Sequence, residues 1–285
     1  MKVLTPFSDE QPPQWLLSFD FDGTLVIPDD EPAVVPEFFE MMRMMRDSHK
    51  TYWGINTGRS LMQTVQGLAD ARFPFLPDYI IAREQEIYMP NDFGRWVGVS
   101  AWNKRCHKEH HRLFRKCRRF LHNLRQWVEA ETAAVWGTQD EEPAGIVAST
   151  ASEMDMIVSK IDEVLHLKPK LSYQRNGIYL RFSHDQYHKG SAMTEVARLC
   201  GLSAHKIFAI GDGHNDLDML DSSMAGLIAC PANACAEVRE QVEASGGYVA
   251  GMAASAGTIE ALCQLFLDNG DVKQDREALE SLNGS

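Results

Sequence analysis

Four short stretches of the 285-residue chain hold residue types that suit a charged reaction centre. They are Asp20-Phe21-Asp22-Gly23-Thr24-Leu25, Thr57-Gly58-Arg59, Lys189-Gly190 and Gly211-Asp212-Gly213-His214-Asn215-Asp216. Gly23, directly after the paired carboxylates, permits a sharp turn that brings Asp20 and Asp22 to one point. Lys189 supplies a compact positive charge and Thr57 a hydroxyl donor. Asp20, Asp22, Asp212 and Asp216 gathered beside one lysine require a further cation. An oxygen-only set of this kind suits Mg2+, which keeps waters and bridges to phosphate oxygens. The matching chemistry is reaction at a phosphate ester, whose negative oxygens repel nucleophiles until charge is neutralised and geometry held in line.

Each stretch alone has a bland reading. Asp-Phe-Asp-Gly-Thr is also ordinary turn chemistry, and Lys189 also reads as a surface lysine opening a helix. A calcium loop at Asp212 fails, because its sixth position is Leu217 rather than Gly and its twelfth is Ser223 rather than Glu. His214 is expected to line the site or face solvent rather than ligate metal. The ordered combination carries the signal.

The elements that must hold these residues follow from apolar patterning. Trp15–Phe19 is a short apolar run bounded by acid and Gly, and reads as a buried strand. A helix over 36–46, a strand over 51–57, a helix over 59–71 and a strand over 77–82 follow. The rhythm resumes with a helix over 190–200, a strand over 206–210, a short helix over 216–221 and a strand over 225–230. Helices over 235–242 and 257–267 close the pattern, and the polar residues 268–285 are expected to fray. Alternating strands and helices argue for βαβ units and a parallel sheet. The four stretches then sit at strand ends or a helix start, where open α/β sheets bind ligands.

Residues 83–187 have another texture: a strand over 87–89, a long helix, an acidic loop over 138–143, a strand over 145–149, a helix over 153–165, and two strands flanking Asn176-Gly177. That pair is a hairpin signal. The expected fold is α/β: a Rossmann-like parallel-sheet core over 1–82 and 188–285, with an inserted α+β cap over 83–187.

The quartet of motifs resembles the haloacid dehalogenase superfamily of aspartyl phosphotransferases. The insertion point resembles the class with a large α+β cap, the Cof-type and sucrose-phosphatase-like enzymes. Pro231-Ala232-Asn233-Ala234 and Ala256-Gly257-Thr258-Ile259-Glu260-Ala261-Leu262 match as well. The resemblance covers about 14–82 and 188–267. It implies Asp20 as nucleophile and Asp22 as general acid and base. It also implies that Lys189 and Thr57 work on the phosphoryl group. Mg2+ would be held by Asp20, the Asp22 carbonyl and Asp212, with Asn215 and Asp216 nearby. Gly23, Thr24, Gly58, Arg59, Glu86 and Asn233 complete the expected substrate-binding set. The expected reaction is Mg2+-dependent hydrolysis of a small phosphate monoester, a sugar or polyol phosphate, through an aspartyl-phosphate. Phosphotransfer or mutase action is the alternative. A weakly active phospho-ligand sensor is disfavoured, because no catalytic residue is missing.

Composition bounds the partners. Hydrophobic residues make up 44%, enough for a sizeable core. The formal net charge of −12 argues against a nucleic-acid partner. Nine of the 28 basic residues crowd into 102–126 against a single Glu109. Leu113, Cys117, Leu121, Leu124 and Val128 mark the buried face of that helix, so the basic residues form its solvated face. His107, His110 and His111 are expected to be exposed. The six cysteines form no CxxC pair and are expected to be reduced. The first residues lack a signal-peptide apolar region, and no apolar run reaches membrane-spanning length. A cytoplasmic protein without a membrane partner is the expectation.

At the cap, residues 83–88 keep the Glu86-Ile87 of the sucrose-phosphatase pattern but carry Glu84 and Gln85 where that pattern has Gly-Thr. Tyr179 and Arg181 stand where it has acidic residues. Sucrose phosphate itself is thus disfavoured. Arg83, Glu84, Gln85, Glu86 and Tyr179 are expected near the leaving group, with a cap arginine free to meet a second anionic group.

Overall fold

The computed structural model describes residues 12–139, 142–168 and 170–267. The terminal residues 1–11 and 268–285, including the segment expected to fray, lie outside the described residues. In chain order the elements are β1 (Trp15–Phe19), α1 (Pro36–His49), β2 (Thr51–Asn56), α2 (Leu61–Asp70), β3 (Tyr79–Ala82), β4 (Glu86–Pro90) and β5 (Trp96–Gly98). There follow α3 (Ser100–Glu131), β6 (Val135–Gln139), β7 (Glu142–Val147), α4 (Ala151–Leu165), β8 (Leu171–Asn176), β9 (Tyr179–His184) and α5 (Lys189–Leu199). The chain then forms β10 (Ile207–Ile210), β11 (Leu227–Cys230), α6 (Ala236–Ala244), β12 (Tyr248–Val249) and α7 (Ala254–Leu267).

Eight strands form one sheet in the order β12-β11-β10-β1-β2-β3-β4-β5. The pairs from β12 to β3 are parallel, and β4 and β5 are added antiparallel. Strands of this sheet are apolar nearly throughout because both faces are covered. One face packs Phe19, Trp53 and Phe208 against Phe38 and Met42 of α1 and Leu262 of α7. The other packs Leu16, Tyr79 and Ile81 against Met193 and Val196 of α5. Local signals set the helix ends: Pro36 opens α1, Lys50 in left-handed backbone closes it, and a Ser60–Gln63 capping box starts α2.

The second sheet is antiparallel, in the order β6-β7-β9-β8. Its inner face, with Ile146, Leu180 and Phe182, packs on Leu121 and Val128 of α3 and Ile157 of α4. Its outer face carries two cross-strand rows. Val135, Val147, Tyr179 and Asn176 are in register, as are Gly137, Gly145, Arg181 and Gln174.

Several expectations are corrected. The strand expected within the insertion, β4, belongs to the main sheet, because the chain reverses at residues 83–85 and pairs back on β3. Residues 86–98, which fall within the insertion expected over 83–187, therefore extend the core sheet. Most of the acidic loop expected over 138–143 is strand, with residues 140 and 141 outside the described residues. In place of the helix expected over 216–221 the chain forms a single 3-10 turn, His214–Asp216, followed by turn backbone, with Asp216 accepting from the Asp212 and Gly213 amides. The two-residue β12 is too short for its pattern to register. All nine basic residues of α3 are exposed as expected. His110 is not: it is buried, accepting a hydrogen bond at Nε2 from the His184 amide at 3.0 Å. Burial pushes its imidazole down to about 4. Among the described residues the six cysteines are free thiols, and no helix is long and apolar enough to cross a membrane.

Candidate active site

The carboxyl ends of β1, β2, β3 and β10 deliver Asp20, Thr57, Glu84 and Asp212 to one place, as sheet topology dictates. Backbone hydrogen bonds tie the loops together. The Asp20 amide donates to Ile210 O at 3.0 Å, Thr57 to Ile81 O at 2.9 Å, and Arg83 to Arg59 O at 2.8 Å.

Lys189 opens α5, where a helix dipole disfavours a cation. Two carboxylates offset that. Its fully buried Nζ donates to Asp20 Oδ1 at 2.7 Å and to Asp216 Oδ1 at 2.6 Å. Burial alone would lower the ammonium pKa, but Asp20 and Asp216 outweigh it and hold it above the usual lysine range. Asp216 also takes the amides of Asp212 and Gly213 on Oδ2, at 3.0 and 2.9 Å. Both its oxygens are therefore engaged, and it acts as a brace for Lys189 and the Asp212 loop.

The ligand oxygens of Asp20, Asp212 and Asp216 lie within 4.8 Å of one another. Asp20 gives one oxygen to Lys189, and Asp212 gives one to Thr24 Oγ1 at 2.7 Å. The second oxygen of each remains for a cation. Gly23, at φ +78°, leaves the space: a Cβ there would collide with the Asp212 carboxylate. Burial first, and Asp216 second, push Asp20 well above the usual carboxylate range and Asp212 up to about 6. This is the signature of a buried acidic cluster with too little positive charge, and its all-oxygen donors fit a hard divalent ion.

The sign of that repulsion sets a prediction. A carboxylate with a raised folded-state pKa binds protons more tightly folded than unfolded, so metal-free stability falls as pH rises from about 4 to about 6. In EDTA at pH 7.5, Asp212→Asn is expected to melt above the wild type, with the gap closing near pH 4. Equal melting temperatures at pH 7.5 would contradict the repulsion.

Asp22 is held by Arg59, whose Nε donates to Asp22 Oδ2 at 2.7 Å while its Nη2 reaches Oδ1. The guanidinium also lies 4.9 Å over the Phe21 ring. Arg59, expected on substrate, therefore orients Asp22, and spacing alone gives no sign of this pairing. Asn215, expected near the metal, donates from Nδ2 to Glu84 Oε1 at 2.9 Å. Three residues expected to bind substrate have loop-bracing bonds. Asn233 Nδ2 donates to Gly23 O at 2.8 Å, the Gly23 amide donates to Val26 O, and Thr24 holds Asp212. Glu86 accepts from Tyr88 Oη at 2.8 Å and faces His107 Nε2 at 3.1 Å. His214 lies 3.5 Å from Glu237 rather than on the acidic cluster.

A cavity of about 950 Å³ opens above these groups. Asp20, Asp22, Thr57, Gly58, Arg59, Glu84 and Asn215 form its floor, one face of α2 a side, and the outer face of the second sheet its roof. Of the residues expected around the leaving group, Glu84 and Tyr179 line it, while Arg83, Gln85 and Glu86 do not. Arg181 reaches across to donate to Gly58 O at 3.2 Å, linking roof to floor. Beyond Tyr179 and Arg181, sequence reading missed the roof rows, and it missed Met62, Gln66 and Asp70 of α2. The signals were present, as period two in the strands and a spacing of four in the helix. A Cβ on Gly137 meets nothing within 4 Å, so a side chain there enters the cavity. Gly137→Leu is expected to raise KM severalfold for a bulky phosphate ester and to spare a small one. Equal rises for both would place the effect elsewhere.

Comparison with known proteins agrees with this geometry. No curated protein matches the chain by sequence. Among solved structures, the sucrose-phosphatase from Synechocystis in complex with sucrose and phosphate aligns with a TM-score of 0.67 at 18% identity, covering 88% of this chain and 98% of that one. A phosphatase of the haloalkanoate enzyme superfamily from Bacteroides thetaiotaomicron aligns with a TM-score of 0.59 at 18% identity, over 92% and 98%. A subclass IIB sugar phosphatase aligns at 0.56 and 15% identity, over 90% and 100%. The likeness to these structures is one of fold. A model of the haloacid dehalogenase-like hydrolases matches residues 64–250, well over half of the chain. With that match and an acidic, lysine-braced site at the ends of β1, β2 and β10, the chain belongs to the haloacid dehalogenase-like hydrolase family.

Proposed function

We propose that the chain hydrolyses a small phosphate monoester, a sugar or polyol phosphate, with Mg2+ and through a phosphorylated Asp20. The observation that carries this reading is the buried Asp20–Lys189–Asp216 bridge opening onto a cavity rimmed by Asp22, Arg59 and Thr57. Sucrose and phosphate bound to the Synechocystis relative, and the sugar phosphatase among the similar folds, support a sugar phosphate as the substrate class.

An Asp20 oxygen attacks phosphorus, and the bond to the leaving oxygen breaks as the new one forms. Lys189 holds Asp20 in place and offsets charge on the phosphoryl oxygens. The Thr57 hydroxyl is a donor to those oxygens. Arg59 aims Asp22, which gives a proton to the departing oxygen and then removes one from water. That water attacks phosphorus, releasing phosphate and restoring Asp20. Mg2+, held by Asp20, Asp212 and the Asp22 carbonyl, supplies charge neutralisation when bound. The cap roof closes over the leaving group and excludes bulk water.

Activity on 4-nitrophenyl phosphate is expected to vanish in EDTA and return with Mg2+, and a panel of phosphorylated sugars and polyols ranks the substrates. Full activity without any divalent ion would overturn the metal assignment.

A further inference from the structure

The turn between β3 and β4 contains two consecutive left-handed residues, Arg83 at φ 51° and Glu84 at φ 66°. Such backbone is unfavourable for a residue with a Cβ, and it persists where a site imposes it. Glu84 is nonetheless 6% exposed, lines the cavity, and sits over Gly58 with its amide donating to Thr57 O at 2.9 Å. Its carboxylate takes one hydrogen bond, from Asn215 Nδ2, of the several that a carboxylate accepts. Asn215 is 3% exposed, lines the same wall, and its Oδ1 has no hydrogen-bond partner. Buried acceptors are costly unless a donor meets them. Among the described residues Asp20, Asp212 and Asp216 form the all-carboxylate metal-sized cluster, and Glu84 stands outside it. Glu84 thus presents an acceptor to the cavity outside the acidic cluster, with Asn215 holding one of its oxygens.

We propose that the Glu84 carboxylate, held by Asn215, accepts hydrogen bonds from hydroxyls of the leaving group. It thereby selects phosphate esters with a hydroxyl close to the ester carbon and rejects those with a carboxylate there. This rests on the phosphatase reading above and narrows it. A phosphate and a carboxylate so close repel each other unless donors lie between them, and leaving-group hydroxyls are such donors. An ester without hydroxyls leaves the remaining Glu84 acceptor unmet, and a site built to bond a hydroxyl discriminates strongly against its absence. A substrate carboxylate would meet the Glu84 charge directly.

Three esters of one carbon skeleton test this: glycerol 2-phosphate, 2-propyl phosphate and 2-phosphoglycerate. The wild type is expected to prefer glycerol 2-phosphate over 2-propyl phosphate by about 10²-fold in kcat/KM, and to use 2-phosphoglycerate poorly. Glu84→Gly suits the left-handed backbone and so keeps the fold. In it that preference is expected to shrink to about threefold, mainly through KM for glycerol 2-phosphate. Glu84→Gln, which keeps an acceptor and loses the charge, is expected to restore part of the preference and improve use of 2-phosphoglycerate. An unchanged preference in Glu84→Gly, an equal loss on both esters, or no preference in the wild type would overturn the proposal. A wild type inactive on every ester, 4-nitrophenyl phosphate included, would instead bring down the phosphatase reading, and this proposal with it.

Discussion

Lys189→Met is expected to cost folding stability more than any other single substitution at this site, and to cost turnover heavily as well. Lys189 is the one cation bonded to Asp20 and Asp216 among the described residues, and all three side chains are buried. Removing it leaves two carboxylates facing each other out of water. Breaking a buried ion pair in this way typically costs about 3–5 kcal/mol, a fall in melting temperature on the order of 10 °C for a chain of this size. The nucleophile also loses its brace, so kcat is expected to drop by about 10³-fold or more. A double-mutant cycle separates the two effects. Adding Asp20→Asn to Lys189→Met removes one of the stranded charges, so part of the stability is expected to return while activity does not. Thermal unfolding and steady-state kinetics on the four proteins read both quantities. Additive stability losses would show that the bridge couples nothing.

The second large effect divides the two carboxylates that follow β1. Asp20→Asn removes the attacking oxygen, and no phosphorylated enzyme is expected to form. Asp22→Asn keeps the nucleophile but loses the group that activates water, and it frees Arg59 from its paired carboxylate. With 4-nitrophenyl phosphate, whose leaving group needs little protonation, the first step survives while hydrolysis stalls. Loss of general acid–base help typically costs on the order of 10²–10⁴ in rate, enough to trap the adduct when it falls on the second step. Rapid quench and mass spectrometry of Asp22→Asn are expected to show phosphate on Asp20. An adduct on another residue, or equal adducts in both variants, would reverse the assigned roles.

Local sequence carried the framework of the site. The apolar runs of β1, β2, β3 and β10 could be found in the chain because a parallel sheet covered on both faces requires uninterrupted burial. Each of the four motifs sits within six residues, so strand end, turn glycine and functional side chain are neighbours in sequence. Asp20, Lys189 and Asp212 could be picked out on that basis.

Other features depended on distance. β4 reads as a strand from its residues alone, but only pairing with β3 assigns it to the core sheet. His110 looks like one more histidine on a basic helix, yet the returning His184 backbone buries it. The Asp22–Arg59 pair spans 37 residues, the Lys189–Asp20 pair 169 and the Glu84–Asn215 pair 131. Asp216 reads as a metal ligand by type, and folding also gives it two amides and a lysine as partners. Glu84 shows the division most sharply. Its residue type is visible in the chain, whereas its left-handed backbone and its place on the cavity floor exist only once β3 and β4 pair. Residue type and short spacing state which chemistry a chain is able to perform. Which oxygens remain available for it is settled by partners that long-range folding brings within 3 Å, and short-range pattern contains no record of them.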